Sequence, residues 1–261
     1  MASANGGLVQ RSSLKSHEVE HHARPIFPFF RSIIRATVMR VAVLATGGKD
    51  STLALYYALK ESHEVVCLAT MVPSREDSWM FHYPNIGLID LFAEAVGIPV
   101  VKAVTSGIKE VELEDLKRLI EDLDVEGVVS GAVESNYQKT RIDNICTQLN
   151  LKSLTPLWRK DPLMMLWEML KLKFDVVIVG VYAHGFDDKW LGRKIDEQAV
   201  EDLTMLNRSY GVSLVGEGGE YETLVLDASF FKKRIRVVAA DKVWKGQSGY
   251  FLVSEARLES K

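Results

Sequence analysis

The chain has 261 residues, 47% hydrophobic and 26% charged, with a formal net charge of -3. That length allows one α/β core with a smaller attachment. The negative balance argues against a mainly electrostatic grip on nucleic acid or an acidic membrane. No apolar run reaches the ~18 residues of a spanning helix, so neither stable nucleic-acid binding nor a membrane role is expected. Cys67 and Cys146 lie far apart in apolar stretches without a C-x-x-C pair. They argue against a zinc, iron–sulfur or dithiol centre and fit a reducing, cytoplasmic setting.

Residues 1–38 are polar at first and then briefly apolar, broken by Arg31 and Arg35 as a secretory h-region would not be. They read as a leader, non-native or disordered, with a targeting role left open. From Met39 short apolar runs alternate with amphipathic stretches. The runs at 39–45, 64–72, 98–104, 127–132 and 174–182 predict strands. The stretches at 51–60, 86–96, 111–123 and 137–149 predict helices between them. This alternation implies α/β architecture, a doubly wound parallel sheet with helices on both faces.

After about Arg193 the character changes. A helix over 195–210 leads into the glycine-rich segment GVSLVGEGGEYETLVLD, followed by β-type runs at 234–240 and 250–257 around KGQSG. Those two runs predict an antiparallel hairpin. The expected division is an α/β domain over 39–160 and a smaller α+β region over 161–261. Trp158, Trp167, Met164 and Met165 read as core or contact residues.

The chemistry centres on Thr46, Gly47, Gly48, Lys49, Asp50 and Ser51, between the first strand and its helix. Adjacent glycines let a backbone approach a phosphate, and the helix start adds its dipole there. Lys49 can neutralise phosphate charge, Asp50 can hold Mg²⁺, and the Ser51 hydroxyl can donate. Both Lys49 and Asp50 are expected to face phosphate and metal in solvent. This is no Walker A loop, which would need glycine at Val43 and Ser or Thr at Asp50. Nor does a third glycine complete a dinucleotide fingerprint.

The segment resembles the S-G-G-K-D-S motif of the PP-loop ATP pyrophosphatases, with Thr46 in place of the first serine. That resemblance implies the adenine nucleotide alpha hydrolase-like fold. It also implies cleavage of ATP to AMP and pyrophosphate, activating a carboxyl oxygen as its adenylate. No glutaminase region is expected upstream, so nitrogen would come as ammonia or from a partner. Paired cysteines common among sulfur-transferring relatives are missing.

Two further segments narrow the class: GAVESNYQKTR over 131–141, then TPLW over 155–158, and GEGGEYETLV over 216–225. They resemble the signature segments of the diphthine–ammonia ligase family from Met39 to the C-terminus. The resemblance implies amidation of diphthine on elongation factor 2, with ATP, Mg²⁺ and ammonium as co-reactants. On that basis Gly131, Ser135, Gln138 and Arg141 join the loop as nucleotide-binding residues, the last three on roughly one helix face.

Glu217, Gly218, Gly219, Glu220, Tyr221, Glu222 and Thr223 become substrate-binding candidates. Carboxylates beside Tyr221 would attract diphthine's quaternary ammonium, or hold ammonium; the sequence leaves both open. This segment is expected in the other region, apart from the nucleotide. His82 and Asn85 are candidates for a lid over ATP, and His184, Asp187 and Asp188 for the ligand side of the sheet. A tRNA-modifying enzyme and a non-enzymatic nucleotide-binding module remain alternatives, and a homo-oligomer is left open.

Overall fold

The computed structural model describes residues 38–74, 85–106, 108 and 111–261. His82 and all but the last residue of the expected leader lie outside the described residues. The chain divides into units Met1–Arg35 and Ala36–Lys261, and every described element belongs to the second.

β1 (Arg40–Leu44), α1 (Lys49–Lys60), β2 (Glu64–Pro73), α2 (Ile89–Val96) and β3 (Val100–Thr105) come first. α3 (Val111–Glu121), β4 (Gly127–Val129), α4 (Asn136–Gln148) and β5 (Lys152–Leu154) follow. The five strands form a parallel sheet ordered β3-β2-β1-β4-β5. Chain order reverses at β1, so its carboxyl end lies at the topological switch point where such sheets bind ligands.

The central strands β1, β2 and β4 are buried on both faces because their middle residues are apolar on each side. Val41, Val43, Leu68 and Val129 pack on one face with Leu53 of α1 and Phe92 of α2. Ala42, Cys67, Met71 and Val128 pack on the other with Leu116 of α3 and Ile142 of α4.

The remaining elements are α5 (Pro162–Lys171), β6 (Asp175–Val181), α6 (Glu197–Tyr210), β7 (Tyr221–Asp227), β8 (Lys233–Lys245) and β9 (Ser248–Ser260). Their strands form an antiparallel sheet ordered β7-β6-β9-β8. β8 and β9 pair along their whole length as the expected hairpin, turning where Gly246 takes φ +63°. Ile178, Val181 and Leu224 of this sheet share one core with Val41 and Phe92. Backbone bonds also join the segments around the two sheets: Lys232 N–H donates to Ala95 O at 2.8 Å, and Val225 N–H to Gly47 O at 2.9 Å.

Three expectations need correction. The run at 174–182 belongs to the antiparallel sheet as β6, and the fifth parallel strand is β5. β6 is buried on both faces, the pattern of a central parallel strand, but burial alone carries no strand direction. β5 has three residues, too few to show a period. Met164 is 61% exposed, although Met165 beside it is core.

α5 had a legible start signal. Asp161 Oδ1 accepts from Met164 N–H at 2.8 Å, with proline in the first turn. Asp161→Ala should therefore lower unfolding free energy by about 1 kcal/mol. Urea titration reads this directly, and an unchanged midpoint would show that the cap contributes nothing.

Candidate functional site

Loop 46–51 is a closed turn with its hydroxyls directed inward. Gly48 N–H donates to Thr46 Oγ1 at 3.4 Å, and Ser51 Oγ and Thr52 Oγ1 donate to Gly48 O at 3.1 and 2.7 Å. Gly47 takes φ +82°, which a side chain would resist, and its carbonyl accepts the Val225 bond. No side chain of the loop caps α1. Instead Lys49 N–H, in the first helical turn, donates to Thr223 Oγ1 at 3.1 Å.

Lys49 does not face solvent as the sequence suggested. It is 3% exposed, its Nζ lying 2.7 Å from Asp50 Oδ2 and 5.1 Å over the Tyr221 ring. The same ammonium donates to Val215 O. Burial opposes its charge, but Asp50, Tyr221 and Glu222 outweigh this and raise its pKa. Burial raises the Asp50 carboxyl, against the pull of Lys49 and with a push from Glu217. Residues 215–223, from β7 and the loop before it, close over Lys49 and shut it off from solvent.

That loop also holds the β4–α4 connection. Glu217 accepts backbone N–H bonds from Val133 at 2.8 Å, Ser135 at 2.9 Å and Glu134. Three successive amides around one carboxylate make an anion nest, filled here by the protein's own side chain. Gly131 brings this connection onto the start of α1. A Cβ there would lie 2.8 Å from Asp50 C and Ser51 N, so only glycine fits.

The structure thus places loop 46–51, residues 131–135 and residues 215–223 around one point. The sequence had assigned the acidic segment to a separate region. Two of its members are buried against the loop. Tyr221 is 1% exposed, its hydroxyl donating to Leu214 O at 2.6 Å, and Thr223 is 2% exposed. Both support the loop. Gly219 takes φ +81°, whereas Gly218 has no positive φ, and a Cβ there would meet Glu220 Oε1 at 2.7 Å. Glu220 Oε1 accepts from Ser213 N–H at 3.2 Å.

The other candidates fall less centrally. Ser135 caps α4 by accepting from Gln138 N–H at 3.3 Å, and the Arg141 guanidinium stacks 3.5 Å over Tyr137. Arg141 also lines a groove between α3 and α4 with Lys117 and Glu114. The Asn85 amide pins the hairpin, donating to Phe251 O and accepting from Val253 N–H. His184 packs edge-on against Tyr210, and Asp187 caps a short turn through Lys189 N–H.

Buried polar atoms without partners mark where a ligand would be expected. Among the described residues they include Asp50 Oδ1, Ser130 Oγ, Tyr182 Oη and Glu220 Oε2. Ser130 and Tyr182 were not singled out from sequence. Their signal was position, just past the carboxyl ends of β4 and β6.

Two family models match this chain, the diphthamide synthase N-terminal domain over residues 39–153 and its C-terminal domain over 161–258. A curated diphthine–ammonia ligase from Bos taurus is 36% identical over 243 residues, covering 84% of this chain and 90% of its own length. One from Homo sapiens is 37% identical over 228 residues, with 78% and 85% covered. A solved structure titled as a predicted subunit of tRNA methyltransferase, from Methanocaldococcus jannaschii, superposes with TM-score 0.41 at 17% identity. It covers 73% of this chain and 98% of its own, a likeness too loose to bear on function.

The nest and the buried acids give two expectations. Glu217→Gln leaves three amides facing a neutral side chain, and should cost roughly 1–3 kcal/mol of stability. A wild-type urea midpoint would show that the nest needs no carboxylate. Burial pushes the Glu222 carboxyl from 4.5 up to about 8, with Lys49 opposing and Asp50 adding to the rise. A raised carboxyl favours the folded state most below pH 4.5 and loses that contribution as pH climbs through about 8. Glu222→Gln should flatten stability across this window; parallel wild-type and variant profiles in urea melts would refute the assignment.

Proposed function

We infer the reaction from one premise: the chain belongs to the diphthamide synthase family. It is a ligase that forms a carbon–nitrogen bond, and its reaction is the ATP-dependent amidation of diphthine on elongation factor 2. The single observation that carries the reading of the site is the convergence of three loops on the buried Lys49–Asp50 pair. Their junction lies at the switch point of the parallel sheet, where a nucleotide belongs.

In the proposed course, ATP lays its phosphates against loop 46–51 and the amino end of α1. The diphthine carboxylate attacks the α-phosphorus, and pyrophosphate leaves. Ammonia then attacks the acyl carbon of the adenylate, giving the amide and AMP. Positioning and charge neutralisation can supply the acceleration, so no nucleophilic side chain is required.

Lys49 acts from beneath the loop, as a fixed positive charge held by Asp50 and Val215 O. Asp50 fits the coordination habits of Mg²⁺, because Oδ1 is buried with no partner. Among the described residues no three His, Cys, Asp or Glu side chains cluster to hold a metal alone. Asp50 would therefore be the protein's ligand to a magnesium ion, which would supply positive charge to the departing pyrophosphate. Residues 39–160 would bind ATP and 161–261 the substrate, with residues 215–223 belonging to both sites.

Ser135, Gln138 and Arg141 are retained as the nucleotide's outer wall, through the cap and the stacked guanidinium described above. Among the described residues no helix is long and apolar enough to cross a membrane. Two buried, unpaired thiols support a reducing, cytoplasmic setting.

The test is pyrophosphate and AMP release with diphthine-bearing elongation factor 2 and ammonium, against a tRNA control. Asp50→Asn, close in shape, should lower the rate at least ~100-fold. Lys49→Ala should do the same and also destabilise the fold, since it leaves Asp50 buried without its counter-ion. Wild-type rates in Asp50→Asn, or ADP as product, would reject the proposed cleavage.

A further inference from the structure

Three strands of the antiparallel sheet meet at a residue with no side chain. Gly180 of β6 pairs with Glu222 of β7 on one side and Tyr250 of β9 on the other. Residues directly opposite in register share a face, so Glu222 and Tyr250 flank a position with no side chain of its own. Tyr182 lies two residues further along the chain from Gly180, on that same face. Its hydroxyl reaches back over Gly180, where any Cβ would collide with it.

The Tyr182 and Tyr250 rings are 5.5 Å apart at 68°, forming two walls of a corner. Glu222 stands across from Tyr250 as the third. All three side chains are only partly buried, yet Tyr182 Oη is itself buried without a partner. Glu222 stands in β7 between Tyr221 and Thr223, which cover and hold Lys49, so the corner lies next to loop 46–51.

Aromatic walls with one carboxyl, which an arriving cation would draw toward its charged form, suit a particular ligand. A quaternary ammonium has no N–H to donate, so it is recognised by ring faces and by charge. Resting on the amidation reading above, we propose that Tyr182, Tyr250 and Glu222 form a cage for the quaternary ammonium of diphthine, directing its carboxylate toward loop 46–51. Tyr221, the ring suggested by sequence, already has the Lys49 ammonium over its face.

The probe is tetramethylammonium, titrated into the full chain with sodium chloride as the ionic-strength control and read by saturation-transfer NMR. Wild-type protein should bind it, Tyr250→Phe should keep binding, and Tyr250→Leu and Tyr182→Leu should weaken it about 10-fold or more. In parallel, KM for diphthine-bearing elongation factor 2 should rise about 10-fold in Tyr250→Leu, with ATP affinity within about twofold of wild type. No binding by wild type, or binding by both leucine variants as tight as that of wild type, would overturn the cage, as would an unchanged KM in Tyr250→Leu. Tetramethylammonium binding by a wild type that amidates no diphthine would leave the cage standing and sink the amidation reading instead.

Discussion

An ammonium group can leave water only where oxygens replace its hydration shell, and Lys49 draws those oxygens from both parts of the chain. Asp50 supplies a carboxylate from the same helix, while Val215 supplies a carbonyl from far along the sequence. Tyr221 covers the charge with its ring face, and Thr223 accepts the Lys49 amide. The shape of loop 46–51 therefore depends on residues 215–223 as much as on its own glycines. Gly131 closes the arrangement from a third side, fitting only because it has no Cβ.

Much of this was legible in the sequence, for identifiable reasons. β1 is apolar at each buried position, and loop 46–51 carries glycines and charges at a strand–helix junction, so both signals are local. The hairpin of β8 and β9 was likewise written in its turn and its β-type runs. What stayed hidden was pairing between distant segments. Nothing in FDVVIVGVY says whether its neighbours run parallel or antiparallel, so β6 was assigned to the wrong sheet. Nothing local in Glu217 reveals that its partners are three amides more than eighty residues earlier.

The acidic segment shows the same limit at finer grain. Three glutamates around two glycines read as a single cluster with a single purpose. Folding gives each a different neighbour: Glu217 takes the amide nest, Glu220 takes Ser213 N–H, and Glu222 lies across Gly180 from Tyr250. Strand alternation after Glu220 buries Tyr221 and Thr223 on the loop side and turns Glu222 to the opposite face. Two adjacent residues of one motif thus serve different surfaces, a distinction composition cannot convey.

The nest filled by Glu217 bears on how such a chain can be rebuilt. The amides of residues 133–135 belong to the first sheet's half, and the carboxylate that satisfies them belongs to the second's. A chimera grafting a foreign C-terminal half after α4 would inherit three bare donors and a lysine without its carbonyl, unless the graft supplied both oxygens at matching places. The two halves are therefore not interchangeable cassettes: specificity cannot be reshuffled by exchanging one half without also re-making the phosphate loop it leans on.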